Sequence, residues 1–451
     1  MASTRIYRSI SSAGTTTKAT FSAWVKRAGL AEGFLFFSKE SGNENFRIRF
    51  NPTVLNIEIL GGGSVTGTLS TNRHFRDTTS WYHIVVALDS TLATADDRMK
   101  LYVNGVQETS FSSRTNPSQN YNMRVNETGT QYIGSQETSN YFDGNLAHVH
   151  YIDGTAYAAS TFGETDSTSG IWKPKASPSG ITYGTNGFFL KFENSGNMDL
   201  DSSGNNLSFT TSGTPTQNVD TPTNNYPTLN KLAPSQNNRT GGNGNLYTGD
   251  SSNNAWSSFP STMACESGKW YFEIKDETDW GSTSDSTRRY GIVDLSANIS
   301  QSLASAGDVR FSDSSYAYAY MNESGVRTGG STISGSASDH PTFAEGDFIM
   351  VAMDLDNNKL YFGKNGTWND SGNPASGATG TGSVANLASG AWSPYLEVKY
   401  GSDTASINFG QGYFKTAVAG TNADANGHGK FKYSVPSGYY AICTKNIKEF
   451  G

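Results

Sequence analysis

The chain has 451 residues, enough for two or three domains that each bury a core. Its 33 basic and 40 acidic residues leave a net charge of −7, which gives no basic footprint for nucleic acid. Only 16% of residues are charged, yet mean hydropathy is −0.51, so the polarity comes from Ser, Thr, Asn, Gln and 49 Gly; with 12% aromatics, this is the composition of a turn-rich all-β protein and not of a disordered chain.

From the N-terminus, Met1 to Arg8 holds no apolar run, so no secretory signal is expected, and no stretch nears the 18 apolar residues that would span a membrane. Phe46, Ile48 and Phe50 alternate with Arg47 and Arg49, and Leu55, Ile57 and Ile59 alternate with Asn56 and Glu58. Successive strand side chains point to opposite faces, so both segments read as strands with one face in a core. Trp81 to Leu88 is nearly continuously apolar, as is Phe348 to Leu355, which fits strands inside a sandwich. Gly61-Gly62-Gly63, Asn104-Gly105, Asp143-Gly144, Asp153-Gly154 and Asn365-Gly366 are turn signals. Phe188, Leu190 and Phe192 alternate with Lys191 and Glu193, and Trp270, Phe272 and Ile274 with Tyr271, Glu273 and Lys275. Ser300 to Ala306 reads as one short turn of helix, and no helical periodicity runs longer than about ten residues. Between Thr210 and Asn238 stand Pro215, Pro222, Pro227 and Pro234, the best domain boundary. The predicted organisation is a sandwich over 1–160, a Pro/Ser/Gly-rich connecting segment with one strong strand over 161–239, and a second sandwich over 240–451.

The first of these resembles the laminin-G-like branch of the concanavalin A-like lectins. The resemblance is carried by Phe21-Ser22-Ala23-Trp24-Val25-Lys26, Trp81-Tyr82-His83-Ile84-Val85, Leu101-Tyr102-Val103-Asn104-Gly105, Tyr132-Ile133-Gly134 and Phe142-Asp143-Gly144-Asn145-Leu146-Ala147-His148-Val149. The last resembles a SPRY domain through Ser267-Gly268-Lys269-Trp270-Tyr271-Phe272-Glu273, Lys359-Leu360-Tyr361-Phe362, Asn365-Gly366-Thr367-Trp368, Trp392-Ser393-Pro394-Tyr395 and Asn408-Phe409-Gly410-Gln411. With Trp172-Lys173-Pro174-Lys175, Tyr183-Gly184-Thr185-Asn186-Gly187 and Asp201-Ser202-Ser203-Gly204-Asn205 between them, the whole is similar to bacteriophage proteins, many of them marine. The resemblance implies two tandem antiparallel sandwiches of concanavalin-like jelly-roll type in a virion protein made in a host cytoplasm.

Glucanases of the same superfamily need two carboxylates across a cleft, and the Glu-x-Asp-x-x-Glu strand that supplies them is absent. No Gly-x-Ser-x-Gly elbow accompanies the six histidines, so no enzyme is expected. His148 and His150, two apart on a strand, share a face; a surface pair is the preferred reading over a metal site. Asp143, Asp153, Asp199 and Asp201 are weak calcium candidates, explained equally well as turn residues; no other cofactor is implied. Cys265 and Cys443 are expected as buried thiols, with a bridge as the alternative. Tyr316, Tyr318 and Tyr320 line one face of a strand, either as a solvent platform or as the core face. Trp280, Trp368 and Trp392 lie near loops of the SPRY-like part, where such domains usually bind; with Tyr318 they are the candidate ligand-binding residues. The expected role is tail-fibre or similar adhesion, recognising a host glycan or surface protein; the alternative is a capsid or tail decoration protein that binds other virion proteins. Association in symmetric copies, a trimer, is expected.

Overall fold

The computed structural model describes residues 4–40, 43–176, 178–232, 241–242, 244–248, 256–278, 287–297, 303–304, 308–323, 325–334, 339–400 and 402–451. Strands dominate, and the chain forms two compact units: Met1–Gln217 with Thr221–Thr223, and Asn218–Asp220 with Asn224–Gly451. Each is an antiparallel sandwich, as the composition and alternation lead one to expect.

In the first unit an eight-stranded sheet faces a six-stranded one. Alternation in sequence becomes rows in space. Ile6, Ile133, Phe36, Ile48, Ile57 and Leu69 are direct cross-strand neighbours in the larger sheet. Phe188, Tyr151, Phe21, Val86 and Leu101 form the matching row in the smaller sheet. Both rows are buried and meet in one core. The strand foreseen at 188–192 spans Phe188–Leu190 and pairs with Gly144–Asp153, so residues 161–217 of the segment expected to connect the domains fold with the first unit, while 218–220 and the residues from Asn224 on belong to the second. Phe192 lies beyond the strand with φ +61°, and packs half-buried against the same core. The physical reason is area: three adjacent fully or nearly buried residues, Phe188, Phe189 and Leu190, cannot be left wet at roughly 25 cal/mol per Å².

The outer face of the six-stranded sheet is also covered. Phe189, His150, Ser22, Val85 and Tyr102 form a row on that side. Ala159, Phe162, Trp172, Ile181 and Tyr183 pack over it. This second layer explains why the 81–88 run is apolar on both faces.

In the second unit the sheets have nine and six strands. Phe272, Val351 and Phe362 form a core row in the larger sheet, and Val326, Tyr320, Tyr290, Leu396 and Phe259 one in the smaller. The far face of the larger sheet, with Tyr271 and Tyr361, lies under Phe431, Tyr439 and Cys443. Asn104 and Gly105 (φ +49° and +83°), and Asn365 and Gly366 (φ +50° and +91°), make the tight hairpins their sequence foretells. Of the helical turn expected at 300–306, residues 300–302 and 305–306 lie outside the described residues, and Leu303–Ala304 is strand, paired with Asp308–Val309. A seven-residue helix not foreseen from periodicity, Thr444–Phe450, closes the chain and stacks Phe450 on Tyr440 at 3.8 Å.

Candidate functional site

At one end of the first sandwich, the Lys18–Arg27 and Gly144–Asp153 strands run side by side, with Arg27 opposite Gly144. The backbone of Ala28 donates to the Asp143 carbonyl at 2.8 Å, which draws the 140–143 loop against the turn leading to the Gly33–Lys39 strand. Between them lies a cleft of about 400 Å³, lined by Arg27, Gly29, Ala31, Glu32, Gly33 and residues 140–143. Its width depends on two glycines. A Cβ on Gly29 would fall 2.7 Å from Asp143 Oδ2, and one on Gly33 3.1 Å from the Phe142 Cα.

Arg27 forms the floor. Its guanidinium donates to the carbonyls of Phe75 (2.8 Å), Pro52 (2.8 Å) and Ala31 (3.2 Å) and lies 4.3 Å from the Phe50 ring centre. Burial lowers its pKa to about 10, opposed by the nearby Tyr82 and Asp143. Glu32 is ion-paired with Arg49, which also holds Glu58 at 3.0 Å. The lining therefore offers carboxylate and amide acceptors whose charge is balanced by guanidinium groups beside them. Such a cleft suits hydroxyl donors better than a strongly cationic ligand.

A second polar constellation sits under the covering layer. Ser22 Oγ is 2.9 Å from His83 Nε2, a serine–histidine contact of the kind that activates nucleophiles. Trp172 Nε1, which can only donate, meets His83 Nδ1 at 3.0 Å. The network thus assigns the His83 proton to Nε2, which donates to Ser22. An imidazole so arranged cannot take the serine proton; the pair holds the layer to the sheet. Burial drives the His83 pKa down to about 3, with His148 adding to it. His150 is likewise pushed well down by burial; its Nδ1 meets the Tyr183 hydroxyl at 2.8 Å and its ring stacks on Phe189 at 3.8 Å. His150 is buried, so the surface-pair expectation for His148 and His150 is corrected: Phe189 and the covering layer enclose His150, while His148, at a bulge with φ +48°, stays half-buried and edge-on to Phe189.

The candidate aspartates do not converge. Asp153 accepts from the backbone of Thr15 (2.8 Å) and Asn186 (3.1 Å), joining loops. Asp201 accepts from the backbone of Phe189, Ser203 and Leu207, and Asp199 from the Thr211 hydroxyl. Asp143 lines the cleft. Among the described residues, no group of three or more His, Cys, Asp or Glu side chains is placed to hold a metal ion. Cys265 and Cys443 are buried free thiols.

Nor do the candidate aromatics meet. Trp280 lies outside the described residues. Trp392 is buried, donates to the Ala388 carbonyl at 2.9 Å and packs on half-buried Tyr318 at 5.8 Å. Tyr320 on the same side is fully buried against Phe343 and Phe362, so this is the core face of the strand and not a solvent platform. Only Tyr316, at the strand's start, is exposed. Trp368 is half-buried on the opposite side of the larger sheet, edge-on to Tyr271 at 6.3 Å. The cleft residues Arg27, Glu32 and Asn140 were not singled out from sequence: each sits in a turn or strand end, and nothing in its spacing announces convergence.

Residues 6–159 match the laminin-G-like family model of the concanavalin A-like lectin/glucanase superfamily. No curated protein matches the chain. Among solved structures, the chain is similar to the SPRY domain of human HERC1, with 15% identity, a TM-score of 0.25, and 36% of this chain and 87% of that one covered. It is also similar to a native heptameric SAP-like pentraxin from Limulus polyphemus, with 15% identity, a TM-score of 0.27, and 35% and 72% covered.

Proposed function

We propose that this chain is a bacteriophage virion surface protein that acts by binding, as a tail-fibre or similar adhesin for a host glycan or surface protein, without turning its ligand over. The observation that carries the binding role is the cleft: charge-balanced, rich in acceptors, walled by Tyr141 and Phe142, and framed by a lectin-type sandwich. The phage setting rests on the domain order and connecting motifs of the sequence. Copies associate as a trimer through sheet edges, which offer unpaired backbone groups. Among the described residues, no helix is long and apolar enough to cross a membrane.

The test is localisation with competition. Antibody to this chain should label the tail periphery, and purified protein should block adsorption to host cells. Even labelling of the head with no effect on adsorption would replace adhesion by capsid decoration. Screening on β-glucans, alginate and peptidoglycan should give no turnover; turnover abolished by replacing a single Asp or Glu would overturn the non-enzymatic reading.

A further inference from the structure

The outward face of the eight-stranded sheet carries a row of rings. Tyr7 lies opposite Tyr132, and Tyr132 opposite Phe37, on strands far apart in sequence. The Tyr7 and Tyr132 rings stack at 5.7 Å and 25°, and Phe37 meets Tyr132 at 6.1 Å. Their strand neighbours Ile6 and Ile133 point into the core, so the tyrosines point out; both are half-buried, presenting part of each ring to solvent. Arg5, one step along the same face, places its guanidinium 5.4 Å from the Tyr7 ring centre and donates to the Tyr141 hydroxyl at 2.9 Å. Tyr141 lines the cleft. Tyr132, Tyr7, Arg5 and Tyr141 therefore form one continuous track that ends in the cleft.

The charges along the track are uneven. Arg47 and Arg49 are both paired with Glu58, and Arg49 also with Glu32. Arg5 has no carboxylate partner among the described residues, only the Tyr141 hydroxyl and the Tyr7 ring, and its Nε is a buried donor without an acceptor. A tyrosine ring packs on the apolar C–H face of a pyranose, and a guanidinium without a counter-charge selects an anion.

Resting on the binding role given above, we propose that this track binds an oligosaccharide carrying an acidic group, with sugar rings on Tyr132 and Tyr7, the acid on Arg5, and a further sugar in the cleft. The occupant is a chain because the rings and the cleft are joined along one face; it is acidic because Arg5 is a cation on that face with no carboxylate partner among the described residues.

The test is a glycan array, probed with the full-length protein, that carries uronic-acid, sialylated, sulfated and neutral oligosaccharides, with a proline-rich peptide alongside. Acidic glycans should bind, and their carboxyl-reduced counterparts should bind roughly ten- to a hundredfold more weakly. Arg5→Gln should erase that preference while leaving neutral binding in place. Tyr7→Ala and Tyr132→Ala should weaken both by about tenfold, and Tyr132→Phe, which keeps the ring, should not; unchanged melting of each variant separates this from misfolding. Equal binding of acidic and neutral glycans, indifferent to Arg5→Gln, would overturn the proposal and leave glycan adhesion standing. Binding of the peptide alone, lost in Tyr7→Ala, would overturn it in favour of a protein partner. No glycan binding by protein that still blocks adsorption would also overturn it, without touching the adhesin reading.

Discussion

Acidification should unfasten the first unit through His83. The imidazole is fully buried and is held neutral at a pKa of about 3, whereas in the unfolded chain it titrates near 6.5. The unfolded state therefore takes up the proton first as pH falls. Stability from this group is complete above about pH 6.5 and is lost below it, at roughly 1.4 kcal/mol per pH unit, until the folded imidazole protonates near pH 3. At pH 4 the loss is about 3 kcal/mol. Protonation also sets His83 Nδ1–H against the Trp172 Nε1–H that now donates to it, so the covering layer should loosen with it. His83→Gln isolates the effect, because the amide can accept from Trp172 and donate to Ser22 without titrating. Hydrogen exchange of the Lys18–Arg27 and Tyr82–Asp89 strands, read by mass spectrometry from pH 7 to 4, gives the stability of each protein, and comparing the two at each pH cancels intrinsic exchange and the carboxylates they share. The native protein should lose about 3 kcal/mol more than His83→Gln. Parallel pH profiles would refute the assignment of a buried neutral His83.

Phe188→Ala should cost the first unit about 3–5 kcal/mol, since the ring is fully buried, stacks on Tyr151 at 5.5 Å and meets Phe209 edge-on at 4.9 Å. Exchange in Lys18–Arg27 should then speed up by about two to three orders of magnitude while Lys269–Thr278 is unchanged; loosening confined to the 188–190 peptide would mean that the strand is not part of the core. Trp392→Ala should destabilise the second unit by about 3–5 kcal/mol, whereas Trp392→Phe should be milder and leave ligand binding intact; a clean loss of binding in stable Trp392→Phe would return that residue to the list of ligand contacts. Neither cysteine should react with a thiol reagent at pH 8 in the folded protein, because burial shields both and raises the Cys265 pKa to about 12; both should react in denaturant, and fast labelling of the native chain would contradict their burial.

What the sequence determined by itself was local. Period-2 alternation at Phe46–Phe50, Leu55–Ile59 and Trp270–Ile274 fixes strands with two distinct faces, and Asn104-Gly105 and Asn365-Gly366 fix hairpins, because only a few residue types tolerate positive φ at both turn positions. Alternation cannot say which face is covered, or by what. The Ala317–Met321 strand shows this: its tyrosines and alanines separate cleanly in sequence, yet only the opposing sheet decides that Tyr318 and Tyr320 face the core. The same holds for Glu273, an apparent surface residue that is fully buried because the 431–443 segment folds over it and the backbone amides of Lys432 and Tyr433 donate to its carboxylate at 2.9 and 2.8 Å. The binding track is the extreme case. Arg5, Tyr7, Tyr132 and Tyr141 come from three separate stretches of chain, and strand order alone brings them onto one face, because cross-strand neighbours in an antiparallel sheet are set by register and topology and not by distance along the sequence.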